Sequence, residues 1–234
     1  MSGHYEGVIM KRDKRKKYLH WDTDTFGIGL EYILNILPTA KGKKAIELGA
    51  NYGGLSVCLA NEKLYEIICS DLDNPRKKVL SKHPEIEDNP AVSFDNVNGL
   101  DIKYSDNSFD LVIFKSVLGY ISSKEQQQQF INEIHRVLRP GGYFCFLENA
   151  QASCLHRFAR KKFVAWGTHW RYVTLNEMQK YVSAFSSYEI KTNGFFTAFV
   201  RSESLRYIAF LLDKIIVPFI PKLWRYVIYG IAIK

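Results

Sequence analysis

The chain has 234 residues, of which 47% are hydrophobic and 24% are charged, and its formal net charge is +8. This length and balance predict one globular domain with a sizeable core, and they exclude a largely disordered chain. The charge is unevenly distributed: residues 1–17 carry six basic and two acidic side chains, residues 18–150 carry 13 and 18, and residues 151–234 carry 13 and four. Such asymmetry indicates an anionic partner (nucleic acid, a membrane surface or a phosphorylated substrate), with a solvated basic surface as the alternative.

The cysteines and the start of the chain indicate a cellular compartment. Cys58, Cys69, Cys145 and Cys154 are widely spaced, and no pair has metal-ligand spacing. We therefore expect reduced thiols that mostly fill the core of a cytoplasmic protein. Residues 1–17 contain no apolar stretch, so no signal peptide is expected, and Lys11–Lys17 is predicted to be a basic N-terminal arm.

A glycine-rich turn after the first predicted strand is the most informative feature of the chain. A helix is predicted over Gly29–Leu37, and Ala45–Leu48 then forms a buried strand that ends in the turn Gly49–Gly54. The chain continues as a helix from Leu55, and the next strand ends at Asp71. A tight turn between strand and helix, followed by an acid after the next strand, is typical of nucleotide binding in α/β sheets.

Later segments extend the same alternating pattern. Asp106–Phe114 is interpreted as a turn that leads into a strand, and Ser122 and Glu125 form a capping box that opens a helix to about Leu138. Arg139-Pro140-Gly141-Gly142 then stops the helix before another strand. Alternation of strands and helices predicts a parallel sheet.

Together, the glycine turn, Asp71, the Asp-x-Ser-Phe-Asp run and the Arg-Pro-Gly-Gly run resemble the class I S-adenosylmethionine-dependent methyltransferases. The resemblance covers roughly Ala45 to Glu148. It implies a Rossmann-like, doubly wound α/β fold with a seven-stranded sheet that is mostly parallel and has an antiparallel last strand. It also implies S-adenosylmethionine as the cofactor, bound by residues 18–150, with residues 151–234 forming the acceptor side and the last strands.

The resemblance also implies which residues contact the cofactor. Glu47 offers an acceptor to the ammonium group, Asp71 accepts from both ribose hydroxyls, and Asn98 stands where the family often has an acid facing adenine. A lysine at position 115 is unusual for the family, and it is an alternative contact for an acidic substrate. The full set is Glu47, Gly49, Ala50, Asn51, Gly53, Asp71, Leu72, Asn98 and Lys115.

A base is needed only where the acceptor atom must lose a proton. His169 is the preferred candidate and Tyr120 the second, although Tyr120 stands where family members frequently have histidine. Glu148, His156 and Lys115 are further candidates. No cluster of carboxylates is present, so no metal is expected.

The C-terminal third contains an apolar insert. Thr174 and Glu177 form a second capping box with a helix to about Phe185, and strands are predicted over Tyr188–Val200 and Trp224–Ile233. The insert, at about 205–222, has helical periodicity, and Asp213 and Lys214 interrupt it too early for a transmembrane span. It is interpreted either as an interfacial helix on anionic lipid or as a helix that covers a sheet edge or a dimer contact.

The leading hypothesis is O-methylation of a small-molecule, lipid-linked or glycan acceptor by a cytoplasmic enzyme. In one version of this hypothesis, the enzyme binds peripherally to the membrane. Trp166, Trp170 and Tyr172 would roof the acceptor pocket, unless they are plain packing residues. An RNA methyltransferase is the second hypothesis, and a non-catalytic cofactor-binding protein is the third. The sequence leaves the acceptor and the oligomeric state open.

Overall fold

The fold is built on one seven-stranded sheet. The computed structural model describes residues 9–164 and 170–234. The strands are β1 (Lys44–Leu48), β2 (Glu66–Asp71), β3 (Val92–Asn96), β4 (Phe109–Lys115), β5 (Leu138–Asn149), β6 (Ser187–Asn193) and β7 (Val227–Ile233). Their spatial order is β3-β2-β1-β4-β5-β7-β6. Strands β1 to β5 pair in parallel, and β7 lies antiparallel between β5 and β6. The predicted Rossmann-like sheet with an antiparallel last strand is confirmed.

Helices cover both faces of this sheet. They are α1 (Arg12–Leu19), α2 (Thr23–Ile36), α3 (Gly54–Lys63), α4 (Arg76–Leu80), α5 (Lys124–Val137), α6 (Cys154–Phe163), α7 (Leu175–Tyr181) and α8 (Glu203–Ile216). Alternate residues of the strands enter two separate apolar cores. In β4, for example, Leu111 and Ile113 pack on the side of α2 and α3, whereas Val112 and Phe114 pack on the side of α5 and α7. This alternation follows from the two-residue period of a strand.

Part of the basic N-terminal segment is not a free arm, contrary to the sequence interpretation. It forms α1, which packs on α2 through ion pairs from Arg12 to Asp24 and from Arg15 to Glu31. Asp24 is buried, and Tyr18 and Leu19 are also buried at the end of the helix. The sequence pattern missed the helix because its apolar anchors come only at its last two positions.

Several predicted boundaries also shift. The cap of α5 is Ser123, whose hydroxyl accepts from the Gln126 N–H, rather than Ser122. Strand β6 ends at Asn193, well before the predicted Val200, and a short 3-10 turn follows at Phe196–Phe199. The capping box of Thr174 and Glu177 is confirmed, with a helix that ends at Tyr181.

The predicted C-terminal helical insert is present as α8, and its apolar side faces outward while Asp213 faces the fold. Asp213 is 2% exposed. Its carboxylate accepts hydrogen bonds from the backbone N–H groups of Phe195, Phe196 and Thr197 at 2.8–3.1 Å, and from the Thr197 hydroxyl at 2.6 Å. Asp213 therefore attaches α8 to the turn after β6. Within the described ranges, no helix is both long enough and apolar enough to cross a bilayer.

We expect Asp213→Ala to lower the free energy of unfolding by about 3 kcal/mol, because three buried backbone donors and one hydroxyl lose their acceptor. Denaturant unfolding followed by circular dichroism measures this loss. Lys214→Ala, at the neighbouring exposed position, is the control and is expected to change little. Equal stability of the two variants would contradict the anchoring role of Asp213.

Candidate functional site

A cavity of about 890 Å³ opens at the carboxyl ends of the parallel strands. It adjoins the loops that follow β1, β2, β3 and β4. Residues 18–21, at and after the end of α1, also line it, as do α5, Lys78 and Trp170. In open α/β sheets this edge is where ligands bind. The lining includes Tyr120 and eight of the nine predicted cofactor residues. The eight are Glu47, Gly49, Ala50, Asn51, Asp71, Leu72, Asn98 and Lys115.

The glycine turn after β1 exposes its main chain to the cavity. Gly49 has φ of +67°, in the left-handed region that favours glycine. A Cβ atom at this position would lie 2.6 Å from Cγ2 of Val117, so no other side chain fits without displacing the loop after β4. Asn51 also has a positive φ, of +52°, and asparagine tolerates this conformation better than most residues. The turn is therefore shaped for close approach of a ligand to the backbone.

Asp71 is fixed at the end of β2. One carboxylate oxygen accepts from the Asn51 N–H at 2.9 Å, and the other accepts from the Leu72 N–H at 2.8 Å. The carboxylate thus links the tips of β1 and β2 while it lines the cavity. Each oxygen retains a second lone pair for an external donor, such as a ribose hydroxyl.

Glu47 is a buried acid at the end of β1. Its Oε2 accepts from both the N–H and the hydroxyl of Ser56, at 2.8 and 2.6 Å. Burial raises the pKa of Glu47 from 4.5 to about 7; the Ser56 bonds oppose this rise and the charge of Asp71 adds to it. A carboxyl group in this condition gains from a cationic ligand, because a cation would favour its ionised form.

Lys115 is a buried amine at the end of β4. Its Nζ lies 4.2 Å from the ring centroid of Trp21 and 4.4 Å from that of Phe26. Burial lowers the pKa of Lys115 to about 7, against the opposing charges of Asp22, Glu148 and Glu47. Lys115 is therefore poised to gain or lose a proton near neutral pH.

Two of the further base candidates have structural partners instead. Oε2 of Glu148 accepts from the N–H groups of Val117 and Leu118, both at 2.8 Å, so this acid holds the loop after β4 in place. Burial raises the pKa of Glu148 to about 7. His156 lies outside the cavity lining, and its ring nitrogens are 2.7 Å from the Ser153 hydroxyl and 3.0 Å from the Phe195 carbonyl oxygen. The expectation that His156 lies near the pocket was wrong.

The other predicted residues have mixed placements. Tyr120 lies on the rim, 77% exposed, with its ring centroid 4.3 Å from that of Trp170. Leu72 is also on the rim, and the side-chain oxygen of Asn98 already accepts from the Leu100 N–H at 3.0 Å. Gly53 lies beside the cavity, at the N-cap of α3. His169 and Trp166 lie outside the described residues, so the preferred base stays a prediction.

Sequence reasoning missed the segment Tyr18–Trp21, which closes one side of the cavity. It is held by Asp22, whose carboxylate accepts from the Tyr226 hydroxyl at 2.5 Å; that hydroxyl also lies 2.9 Å from the Thr25 hydroxyl. Because Tyr226 directly precedes β7, these bonds join the two ends of the chain. The available signal was the aromatic pair at positions 18 and 21, directly after the basic run.

Residues 46–146 match the family model for a methyltransferase domain. These residues form a methyltransferase domain. The match covers the glycine turn and the Asp-x-Ser-Phe-Asp and Arg-Pro-Gly-Gly motifs, and it supports the predicted methyltransferase family across them. The cofactor of this family is S-adenosylmethionine.

Curated relatives share this domain. The chain is 30% identical over 176 residues to phosphoethanolamine N-methyltransferase 1 of Triticum aestivum. This match covers 74% of this chain and 33% of that protein. It is 31% identical over 118 residues to norajmaline N-methyltransferase of Rauvolfia serpentina, which covers 48% of this chain and 38% of that protein. The chain thus spans about a third of the length of these relatives.

Solved structures share the fold. Phosphoethanolamine N-methyltransferase 2 of Haemonchus contortus, in complex with S-adenosyl-L-methionine, matches with a TM-score of 0.65 at 15% identity, over 97% of this chain and 60% of that chain. An S-adenosylmethionine-dependent methyltransferase from Archaeoglobus fulgidus matches with a TM-score of 0.61 at 14% identity, over 89% of this chain and 92% of that chain. At these identities the likeness establishes the Rossmann-like fold.

The cavity fits S-adenosylmethionine in three respects. The turn at Gly49 leaves backbone exposed where a side chain would not fit. Asp71 presents two oxygens at the tip of β2, where ribose hydroxyls would donate to them. Glu47 is a buried acid whose pKa is raised by burial, and the ammonium group of the cofactor would favour its ionised form.

We expect Asp71→Ala to weaken binding of S-adenosylhomocysteine by roughly tenfold to a hundredfold, because hydrogen bonds to a charged group are worth about 1.5–3 kcal/mol. Isothermal titration calorimetry measures the change. Asp73→Ala removes an exposed acid two residues away and is expected to bind like the wild type. Unchanged affinity in Asp71→Ala would remove this residue from the cofactor site.

Glu47→Gln should raise the free energy of unfolding above neutral pH and weaken binding of the cofactor. The raised pKa means that the folded protein binds more protons than the unfolded chain between pH 4.5 and about 7, so the contribution of Glu47 to stability falls as the pH rises through that window. We expect Glu47→Gln to remove this fall and to gain about 1–2 kcal/mol at pH 8.

Urea unfolding at pH 5 and pH 8 measures this effect, and calorimetric titration measures the accompanying loss of affinity. Glu66→Gln, an exposed acid on the neighbouring strand, is the control. If Glu47→Gln kept both the wild-type pH dependence and the wild-type affinity, neither the burial argument nor the ammonium contact would hold.

Proposed function

We propose that this protein transfers the methyl group of S-adenosylmethionine to a small-molecule amine that carries an anionic group. The observation that carries the proposal is the single cavity that joins the glycine turn and Asp71 to a mouth of aromatic and basic side chains. The cofactor supplies an electrophilic methyl group on its sulfonium, so the protein has to align a nucleophile and exclude water.

Aromatic rings line the acceptor side of the cavity. Trp21, Tyr52, Tyr120 and Trp170 all belong to its lining. Rings of this kind attract ammonium groups through cation–π interactions, and the attraction grows when water is excluded. The relatives are named as methyltransferases acting on nitrogen. These observations favour an amine nitrogen over the oxygen acceptor that the sequence suggested.

Basic side chains support an anionic group on the acceptor. Lys78 lines the cavity, with its Nζ 4.9 Å from the ring centroid of Tyr52, and Lys82 lies 5.7 Å from the same ring. His20 also lines this side, but burial and nearby positive charges lower its pKa to about 4, so the lysines and not His20 supply the positive charge. A phosphate would bind here through ion pairs with the lysine ammonium groups. Phosphoethanolamine, named for the wheat relative, has both an amine and a phosphate.

Lys115 is our candidate for the proton acceptor. Its pKa of about 7 leaves much of the amine neutral at physiological pH, and it lines the same cavity. A neutral Lys115 would take a proton from the acceptor ammonium, which frees the lone pair that attacks the methyl group. The rings of Trp21 and Phe26, which lie against the Lys115 amine, shield it from water.

Lipid-linked and glycan acceptors remain compatible with this proposal where they present an amine and a phosphate. The RNA hypothesis gains less support. Arg12 and Arg15 of the basic N-terminal segment are engaged in ion pairs, so they are less available for the phosphates of a nucleic acid. A cytoplasmic location, at a membrane surface or away from it, stays a proposal.

We expect the protein to methylate phosphoethanolamine with a kcat/KM roughly tenfold or more above that for ethanolamine, because the phosphate adds charge-assisted contacts. Lys78→Gln should reduce this preference, chiefly through KM. Lys77→Gln, on the same helix but outside the cavity lining, should preserve it. Transfer of a radiolabelled methyl group, with the product identified by mass spectrometry, measures both rates.

The same assay separates the alternatives. A methyl ether or ester as the product would restore the oxygen hypothesis and refute the amine proposal. Equal rates for ethanolamine and phosphoethanolamine would refute the anionic subsite. Binding of S-adenosylmethionine without transfer to any amine, alcohol or RNA would favour the non-catalytic alternative.

A further inference from the structure

Helix α8 turns its apolar side away from the protein. Among its residues, Ala209, Phe210 and Asp213 are buried and face the fold. The apolar residues on the opposite side are exposed, and the helix is followed by Phe219 at 85% exposure. The outward apolar set is Leu205, Ile208, Leu211, Leu212 and Ile215, continued by Phe219, Leu223 and Trp224. A folded monomer rarely leaves so many large apolar side chains in contact with water.

The buried carboxylate fixes this orientation. Asp213 accepts hydrogen bonds from the backbone N–H groups of Phe195, Phe196 and Thr197 and from the Thr197 hydroxyl. Rotating α8 to hide its apolar side would break all four bonds and leave their donors buried without an acceptor, which is costly. The outward apolar face is therefore built into the fold.

Helix α6 has the same character. Leu155, Phe158 and Phe163 are exposed by 53–62%, whereas His156 is buried and its Nε2 lies 3.0 Å from the Phe195 carbonyl oxygen. Arg201, just before α8, donates to the carbonyl oxygen of Phe163 at the end of α6. Both helices contact the turn Phe196–Phe199, which itself exposes two phenylalanines. We call α6 and residues 196–224, which include this turn and α8, the apolar platform.

The charges of the apolar platform are almost all positive. Its exposed cations are Arg157, Lys161, Lys162, Arg201, Lys214 and Lys222. Its acids are Glu203 and Asp213; Asp213 is buried, and Glu203 pairs with Lys16. Within the described part of the chain, these exposed cations form no ion pair. Exposed apolar side chains bordered by such cations match the composition of helices that lie in the interface of an anionic bilayer.

We propose that the apolar platform is a docking surface for a bilayer that contains anionic phospholipids. Helix α8, about 21 Å long, would lie parallel to the membrane plane with its apolar side chains among the acyl chains. The lysines and Arg157 would meet lipid phosphates. This inference goes beyond the proposed function, because membrane binding requires neither cofactor nor acceptor.

Two series of contacts connect the platform to the lining of the cavity. The Arg12 guanidinium lies 4.2 Å from the ring centroid of Tyr207 on α8, and α1 ends at Tyr18 and Leu19 in the cavity lining. On the other side, the Arg160 guanidinium of α6 lies 3.8 Å from the Tyr172 ring, which is 6.0 Å from Trp170 in the lining. Docking would therefore bring the mouth of the cavity close to the lipid headgroups.

Vesicle co-sedimentation tests the proposal with the 234-residue chain, without cofactor. We expect binding to vesicles of phosphatidylcholine and phosphatidylserine, weaker binding to phosphatidylcholine alone, and release at high salt. Ile208→Glu combined with Ile215→Glu should reduce the partition coefficient more than tenfold. Lys161→Gln combined with Lys162→Gln should reduce it about fivefold for each lysine, on anionic vesicles only.

Matched controls separate the platform from general effects. Ile36→Glu places the same charge at a half-exposed apolar position on α2, and Lys41→Gln with Lys77→Gln removes two exposed lysines elsewhere; both are expected to bind like the wild type. S-adenosylhomocysteine titration of each variant verifies that its fold is intact. Absence of binding to anionic vesicles, or binding that the platform variants leave unchanged, would overturn the proposal. So would sedimentation showing a wild-type dimer that Ile215→Glu dissociates, because the apolar face would then belong to a second copy.

Discussion

The architecture of the site depends on acids that are buried at the ends of parallel strands. Glu47 near the end of β1 accepts from the first turn of α3, and Glu148 near the end of β5 accepts from the loop after β4. Each accepts backbone N–H groups that a loop would otherwise leave unpaired, and each has a pKa raised to about 7 by burial. The protein thus gives up stability at neutral pH to hold its loops, a cost that a bound cation would offset.

The same device recurs outside the cavity. Asp22 ties the segment before α2 to Tyr226, and Asp213 ties α8 to the turn after β6. In each case an aspartate carboxylate accepts hydrogen bonds from residues that lie outside the strands of the sheet. Buried acids therefore organise the parts of this chain that the sheet does not reach, which are the cavity wall at Trp21 and the C-terminal insert. Because removing either carboxylate would leave buried donors without an acceptor, we expect Asp22 and Asp213 to tolerate little substitution.

Sequence reasoning predicted the sheet well, because its strands alternate with helices at regular spacing and the glycine turn and Asp71 mark the edge where they end. It was less able to predict segments that depend on long-range polar contacts. Helix α1 lacks an apolar stripe, since its contacts are the ion pairs of Arg12 and Arg15. The role of Tyr226 was equally hidden, because its partner Asp22 lies some 200 positions earlier in the chain. Periodicity carries no information about such pairs.

Helix α8 shows where a correct pattern leads to an incomplete interpretation. An aspartate and a lysine inside an apolar run normally mark the face of a helix that meets water. Here Asp213 faces inward because the turn at Phe195–Thr197 offers it four donors, and the apolar residues consequently face outward. The sequence shows the period of the helix but not the donors that decide its phase. A buried acid on an amphipathic helix thus reverses which side faces solvent, and that reversal is the basis of the lipid-docking surface that we propose.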